Sequence, residues 1–366
     1  MTDFVGLTWD HPRGRVALET AAGDIGGGDT IRWEAQPLEG FESAPIDELA
    51  ARYDLIVLDH PHLGDAISSS SLHPLDELFS AEQVAAWRDA AVGPSIASYT
   101  IDDRLWALPL DAATQVSARR VAALPQAPAT WPELVEASTQ HAVALSLAGP
   151  HAFLTLCSVA VSLGDDPASG DRCFARGTAL GALEIMAEIV SRAPAGSGAL
   201  NPIGLLDRMH DERDIDLVPL IYGYVNYSSD EIRFSAPPGR GRIGSTIGGT
   251  GIALSRRAHP SPALLAHLAW LMGEEAQRGF IPRHQGQPAR RSAWRDPGVD
   301  AAAHGFYSAT LDTIEHAWVR PRFPGYIPFQ SAASALVRAA VGGELAASRA
   351  LDQIDSAFAT ALKEQS

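Results

Sequence analysis

The chain has 366 residues, about twice a typical domain length, so two lobes are expected. Hydrophobic residues make up 46% and charged residues 20%, and 28 Lys and Arg against 44 Asp and Glu leave a formal net charge of −16. That acidity argues against nucleic acid or an anionic membrane surface as a partner, since both need clustered cations. No apolar run approaches the roughly 20 residues of a membrane span, so no membrane insertion is expected. Two cysteines, Cys157 and Cys173, cannot build a disulfide scaffold.

In chain order, Phe4 to Trp9 reads as a strand that ends in the turn-rich Asp10-His11-Pro12-Arg13-Gly14. Residues 15–22 read as a helix closed by Gly23, residues 31–35 alternate like a strand, and 46–52 form a short amphipathic helix behind Pro45. Residues 53–58 are a continuous apolar run, the pattern of a parallel strand buried on both faces, and end in Asp59-His60-Pro61-His62. This is a βαβ-type opening, in which the carboxyl ends of strands gather at one crevice. Residues 75–79 and 81–91 look helical, and Tyr99 to Pro109 reads as a hairpin turning at Asp102-Asp103. Helices dominate from Trp131 to Arg192, interrupted by a loop at 164–170, with another loop at 194–202. Ile215 to Tyr227 supplies a strand and an aromatic loop, 237–251 reads as Gly-rich loop, and strand returns at 252–254. An amphipathic helix is expected over 261–280 and a helical tail over 332–363.

Several residue groups could carry chemistry. Asp10-His11 and Asp59-His60 stand at the ends of strands expected to be neighbours. They could bind ligand hydroxyls or carboxylates, do acid–base work, converge on a metal, or simply cap strand ends. Pro12 fixes its own φ and drives His11 toward extended backbone, so the loop is pre-organised. The following helix N-terminus favours an anionic ligand group. His11 and Arg13 are expected to point into a cleft, with Asp10 orienting His11 or accepting from a ligand. Pairing of Arg13 with a neighbouring acid is the bland alternative. Tyr222, Tyr224 and Asn226 combine flat apolar faces with polar handles suited to a sugar or other ring. Arg320, Arg322 and Tyr326 could meet an anionic group through a guanidinium fork, or lie in ion pairs. Trp9 sits beside the most functionalised loop. Gly239 to Gly244 fits G-x-G-x-x-G by letter, but no apolar strand precedes it and no helix follows, so a dinucleotide site is not expected. Cys157 lies in an apolar helix and is expected to be a buried thiol.

Three stretches carry a resemblance that spans nearly the whole chain. Tyr99 to Pro109 is similar to a hairpin of the form Y-x-x-D-G-K-x-Y-A-L-P, with Asp103-Arg104 in place of Gly-Lys and Trp106 at the aromatic position. Leu271, Glu274, Glu275, Gln277, Gly286 and Pro288 match a late helix and a Gly–Pro element; Arg320-Pro321 with Pro324-Gly325-Tyr326 matches a turn before closing helices. In this order they resemble the family 1 extracellular solute-binding proteins of ABC importers, the maltose-binding-protein type. The resemblance implies an α/β, two-lobed, type II periplasmic-binding-protein-like fold, each lobe a sheet flanked by helices, with ligand between the lobes. One lobe would be 1–110 plus 252–305 and the other 111–251 plus 306–366. Hinge crossings would fall near Pro109–Asp111 and Gly249–Leu254, which places Asp111, Gly249 and Thr250 with the cleft residues.

Two functions follow as expectations. The first is a bacterial solute-binding protein closing over a small polar ligand, sugar-like or carboxylate-bearing, with an importer's membrane subunit as a partner the resemblance implies. The second is an intracellular enzyme on the same fold, using cleft Asp and His residues for acid–base chemistry. Neither a cofactor nor a bound metal is expected. No export signal precedes the strand at Phe4, so the chain as written is expected to be cytoplasmic. If a leader has been removed, a periplasmic or cell-surface location is expected instead.

Overall fold

The computed structural model describes residues 2–23, 25–239 and 241–363. Its strands in chain order are β1 (Asp3–Trp9), β2 (Thr30–Gln36), β3 (Leu55–Leu58), β4 (Thr100–Ile101), β5 (Arg104–Leu105), β6 (Leu108–Arg120), β7 (Leu217–Tyr222), β8 (Ile232–Ser235) and β9 (Ile247–Leu254). The opening is βαβ as its patterning requires. The helix Pro12–Ala21 follows β1, and β1 pairs in parallel with β2 on one side and β3 on the other. All four residues of β3 are buried, which explains its unbroken Leu-Ile-Val-Leu run.

The strand order is β2-β1-β3-β9-β6-β7, with β8 also paired to β6. The 13-residue β6 is the organising element. Its first half runs antiparallel to β9, and its second half pairs with β7 and β8. Strands β6 and β9 therefore link the sheet built around β1 to the one built around β7. The architecture is a two-lobed α/β fold with a cleft between the lobes. One apolar core covers the β1 sheet and its helices. The other gathers Trp131, Phe153, Phe329 and Phe358 from the helices of the second lobe, with Phe174 from the loop before the helix Arg176–Val190.

The β4–β5 hairpin turns at Asp102 and Asp103, whose φ values of 51° and 60° are the paired left-handed geometry of a tight hairpin turn. Three expected elements differ. Strand β9 starts at Ile247, inside the stretch expected to be Gly-rich loop. Its glycines serve close packing: a Cβ on Gly248 would lie 2.5 Å from the Tyr222 ring, and one on Gly249 2.4 Å from the Asp111 carbonyl oxygen. The expected helix over 261–280 stops at Leu271, and the chain resumes as a π-turn over Ala276–Phe280. The tail is two helices, Tyr326–Val341 and Ala347–Lys363, broken at Gly342-Gly343, where Gly343 is left-handed.

Candidate functional site

The site is assembled where β1 and β3 end. His11 is the N-cap of the helix Pro12–Ala21, with extended backbone (φ −149°, ψ 144°), and its Nδ1 accepts from the Arg13 backbone N–H at 3.1 Å. The Trp9 indole lies against Gly14, where an added Cβ would come within 2.2 Å of Nε1. The imidazole of His11 stacks on Trp9, with centroids 5.2 Å apart and planes 6° apart, and Tyr224 meets both rings edge-on. The sequence thus folds its first loop into a rigid aromatic wall.

Arg13 reaches from this wall to β6 and to the turn that follows β7. Its Nε donates to Asp111 Oδ2 at 2.7 Å, its Nη2 donates to Asp111 Oδ1, and its Nη1 donates to the Gly223 carbonyl at 3.0 Å. The guanidinium also lies over the Tyr224 ring at 4.7 Å. Both members of the ion pair are buried. Burial opposes the Arg13 charge, but the Asp111 carboxylate outweighs it and holds the guanidinium protonated.

A second buried pair lies at the end of β3. Asp59 caps the turn that follows by accepting from the His60 N–H at 2.9 Å, and it also accepts from Arg320 Nη2. Arg320 Nη1 donates to Gln330 Oε1 at 3.3 Å. Burial would raise the Asp59 carboxyl, but Arg320 and His60 hold it well below the usual carboxylate range. His60 is fully buried with Nδ1 3.0 Å from Asp59 Oδ1, and its ring meets Tyr99 edge-on.

Between these pairs lies a cavity of about 50 Å³, room for a few water molecules. Trp9, Phe41, Tyr222 and Tyr224 give it aromatic walls, while Arg13, Glu42, Asp59 and His151 bring polar groups, and Gly248, Gly249 and Thr250 form a backbone floor. Glu42 comes from the first lobe and His151 from the second, and Glu42 Oε1 stands 2.9 Å from His151 Nε2 across the cleft.

Among the residues expected from sequence, Trp9, Arg13, Asp59, Tyr222, Tyr224, Gly249 and Thr250 line this cavity. Asp111 and Arg320 stand behind it as the counter-ions of Arg13 and Asp59. His11 and His60 are buried against the aromatic residues just described. Asp10 does not orient His11: it is exposed and accepts from Arg15 Nη1 at 2.6 Å, because the helix brings Arg15 round beside it. Asn226 turns away and donates to the Gln285 carbonyl at 3.1 Å, outside the cleft. Tyr326 is packed in the second lobe's core against Phe323 and Phe329. Arg322 spends its Nη1 on the carbonyls of Ala97, Ser98 and Thr100. The two Asp–His pairs therefore do not converge, and among the described residues no group of three His, Cys, Asp or Glu could hold a metal. Cys157 and Cys173 are both buried free thiols.

Phe41, Glu42 and His151 also line the cavity, and the sequence did not single them out. The first two lie on the six-residue helix Leu38–Ser43, too short to show a period, and Pro37 before it was the available signal. His151 opens the helix His151–Ser162 after Pro150.

Burial, reinforced by Arg13, lowers His11 to about 4 against the opposing pull of Asp10; burial and Arg320 lower His60 to about 4 against Asp59. Both imidazoles are neutral in the folded chain at pH 7. In the unfolded chain they titrate near 6.5, so their contribution is present above that value and is lost as pH falls toward 4. Each histidine should cost about 2 kcal/mol of stability by pH 5, where carboxylates are still ionised. Urea unfolding at pH 7 and pH 5 should show this loss, and His11→Gln should flatten part of it. Equal midpoints at both pH values would refute the assignment.

No protein-family model matches the chain, and no curated protein matches it in sequence. Solved structures do match its fold. An ABC transporter solute-binding protein from Agrobacterium radiobacter, in complex with ribitol, superposes with a TM-score of 0.81 at 18% identity, covering 98% of each chain. The maltose-bound MalE3 of T. maritima superposes with 0.81 at 17% identity, covering 98% of this chain and 99% of the other. A solute-binding protein from Agrobacterium vitis with bound D-mannitol gives 0.79 at 16% identity, covering 100% and 99%. The chain thus has the two-lobed fold of these ABC transporter solute-binding proteins.

Proposed function

We propose that this protein is a solute-binding protein that closes its two lobes over a small polyhydroxylated ligand and presents it to the membrane subunits of an importer. The observation that carries the reading is the cavity between the lobes. Aromatic faces of Trp9, Phe41, Tyr222 and Tyr224 surround polar groups drawn from both lobes. Aromatic walls with a few placed polar groups are what a sugar or polyol needs, since its ring or chain faces are apolar and its edges carry hydroxyls. The ribitol, maltose and D-mannitol in the three similar structures support the same ligand class. In this reading the lobes comprise 1–110 with 252–305 and 111–251 with 306–366, and β6 and β9 act as the hinge. An acid–base enzyme on this fold loses its best pair, because Asp10 is tied to Arg15 on the surface.

Isothermal titration with ribitol, D-mannitol, maltose and common monosaccharides tests the proposal. Saturable one-to-one binding of at least one of them, without turnover, is the expected result. Product formation would move the protein to the enzyme reading.

A further inference from the structure

The cleft holds two arginines, and each is already neutralised. Arg13 makes a two-pronged pair with Asp111, and Arg320 pairs with Asp59, all four side chains being largely or wholly buried. Arg13 has no free fork to offer a ligand carboxylate, Arg320 keeps only its Nε without a hydrogen-bond partner, and releasing either pair would strand a buried acid.

Glu42 is different. Its carboxylate faces His151, which is 2% exposed and lines the cavity. Although Nε2 stands 2.9 Å from Glu42 Oε1, neither imidazole nitrogen makes a hydrogen bond of good geometry. Arg13 and Arg320 balance Asp111 and Asp59, which leaves Glu42 as the carboxylate of the cavity lining with no guanidinium partner. Glu42 also lines an adjoining hollow of about 410 Å³, together with Glu39 and Asn201; no Lys or Arg lines it among the described residues. Two carboxylates, Glu39 and Glu42, thus line this hollow against the one guanidinium, Arg338, that donates to the Gly149 carbonyl in its wall, and the balance favours a cation over an anion.

We propose that Glu42 and His151 are the specificity-determining pair, and that they select a polyhydroxylated ligand carrying a protonated amine over one carrying a carboxylate. The amine would donate to Glu42 while the Trp9 and Phe41 faces pack beside it, an arrangement in which aromatic rings also favour a cation. A hydroxyl would complete His151. This inference rests on the solute-binding reading and sharpens its ligand class.

The test uses three probes on one six-carbon skeleton: D-glucitol, D-glucamine and D-gluconate, titrated calorimetrically into the full chain at pH 7. D-glucamine is expected to bind at least tenfold more tightly than D-gluconate, with D-glucitol between them. Glu42→Gln should bring D-glucamine and D-glucitol within about twofold of each other, with an unchanged thermal melt showing the variant is folded. If Glu42→Gln melts early, Glu42→Asp replaces it and should keep the order of the three probes. D-gluconate binding as tightly as D-glucitol, or more tightly, overturns the charge selectivity and leaves the solute-binding reading standing. If none of the three binds and no sugar or polyol binds either, both fall together.

Discussion

Replacing Asp111 by alanine is expected to lower the stability of this protein by about 3–5 kcal/mol, the cost of leaving a buried guanidinium without its counter-ion. The geometry makes the effect large. Arg13 is 6% exposed, Asp111 is 4% exposed, and the pair joins the first loop to the long strand β6. Without Asp111, Arg13 keeps the Gly223 carbonyl and the Trp9 and Tyr224 faces, none of which carries a compensating charge. The double replacement Arg13→Met with Asp111→Leu should recover most of the loss, because matched apolar side chains remove both buried charges at once. Urea unfolding of the single and double variants measures this. A loss under 1 kcal/mol for Asp111→Ala would mean that water reaches the pair and that the cleft is more open than described.

The second large effect is expected at Gly249. This residue has φ of +96°, a conformation that side-chain-bearing residues rarely adopt, and it sits in β9 opposite Ala112. An added Cβ would lie 2.4 Å from the Asp111 carbonyl oxygen and 2.9 Å from Ala112 Cα. Both neighbours are backbone of the paired strand and cannot rotate away. Gly249→Val should therefore cost about 3 kcal/mol or more through backbone strain and loss of β6–β9 pairing. It should also weaken any ligand held on the cleft floor. Gly177→Ala, in the helix Arg176–Val190 with open space where the Cβ would go, is the contrast and should stabilise by roughly 0.5–1 kcal/mol. Equal melting temperatures for Gly249→Val and the parent would contradict the packing.

Local patterning was enough to read the frame of the fold. Alternation and an apolar run placed β1 to β3, and paired aspartates placed the β4–β5 turn. But the helix after Trp9 starts at Pro12 and takes in Gly14, three residues before the expected start at 15, because Pro suits a first helical position. What the sequence hid was pairing over distance. Arg13 meets Asp111 98 positions away, and Arg320 meets Asp59 261 positions away. Read singly, both arginines looked available to a ligand anion; only the fold shows that each is already occupied. Asp10 failed for the opposite reason, since one helical turn carries Arg15 back to it. Glu42 and His151 gave no local signal because their meaning lies in facing each other across the cleft.

If the cavity between the lobes is the ligand site, a crystal structure of the protein with its tightest-binding sugar or polyol will show the ligand there. The ligand is expected against the cavity faces of Trp9, Phe41 and Tyr222, within hydrogen-bond distance of Glu42 or His151, with the Arg13–Asp111 and Asp59–Arg320 pairs intact. A ligand bound elsewhere, or one that breaks either ion pair to reach its arginine, would contradict this placement.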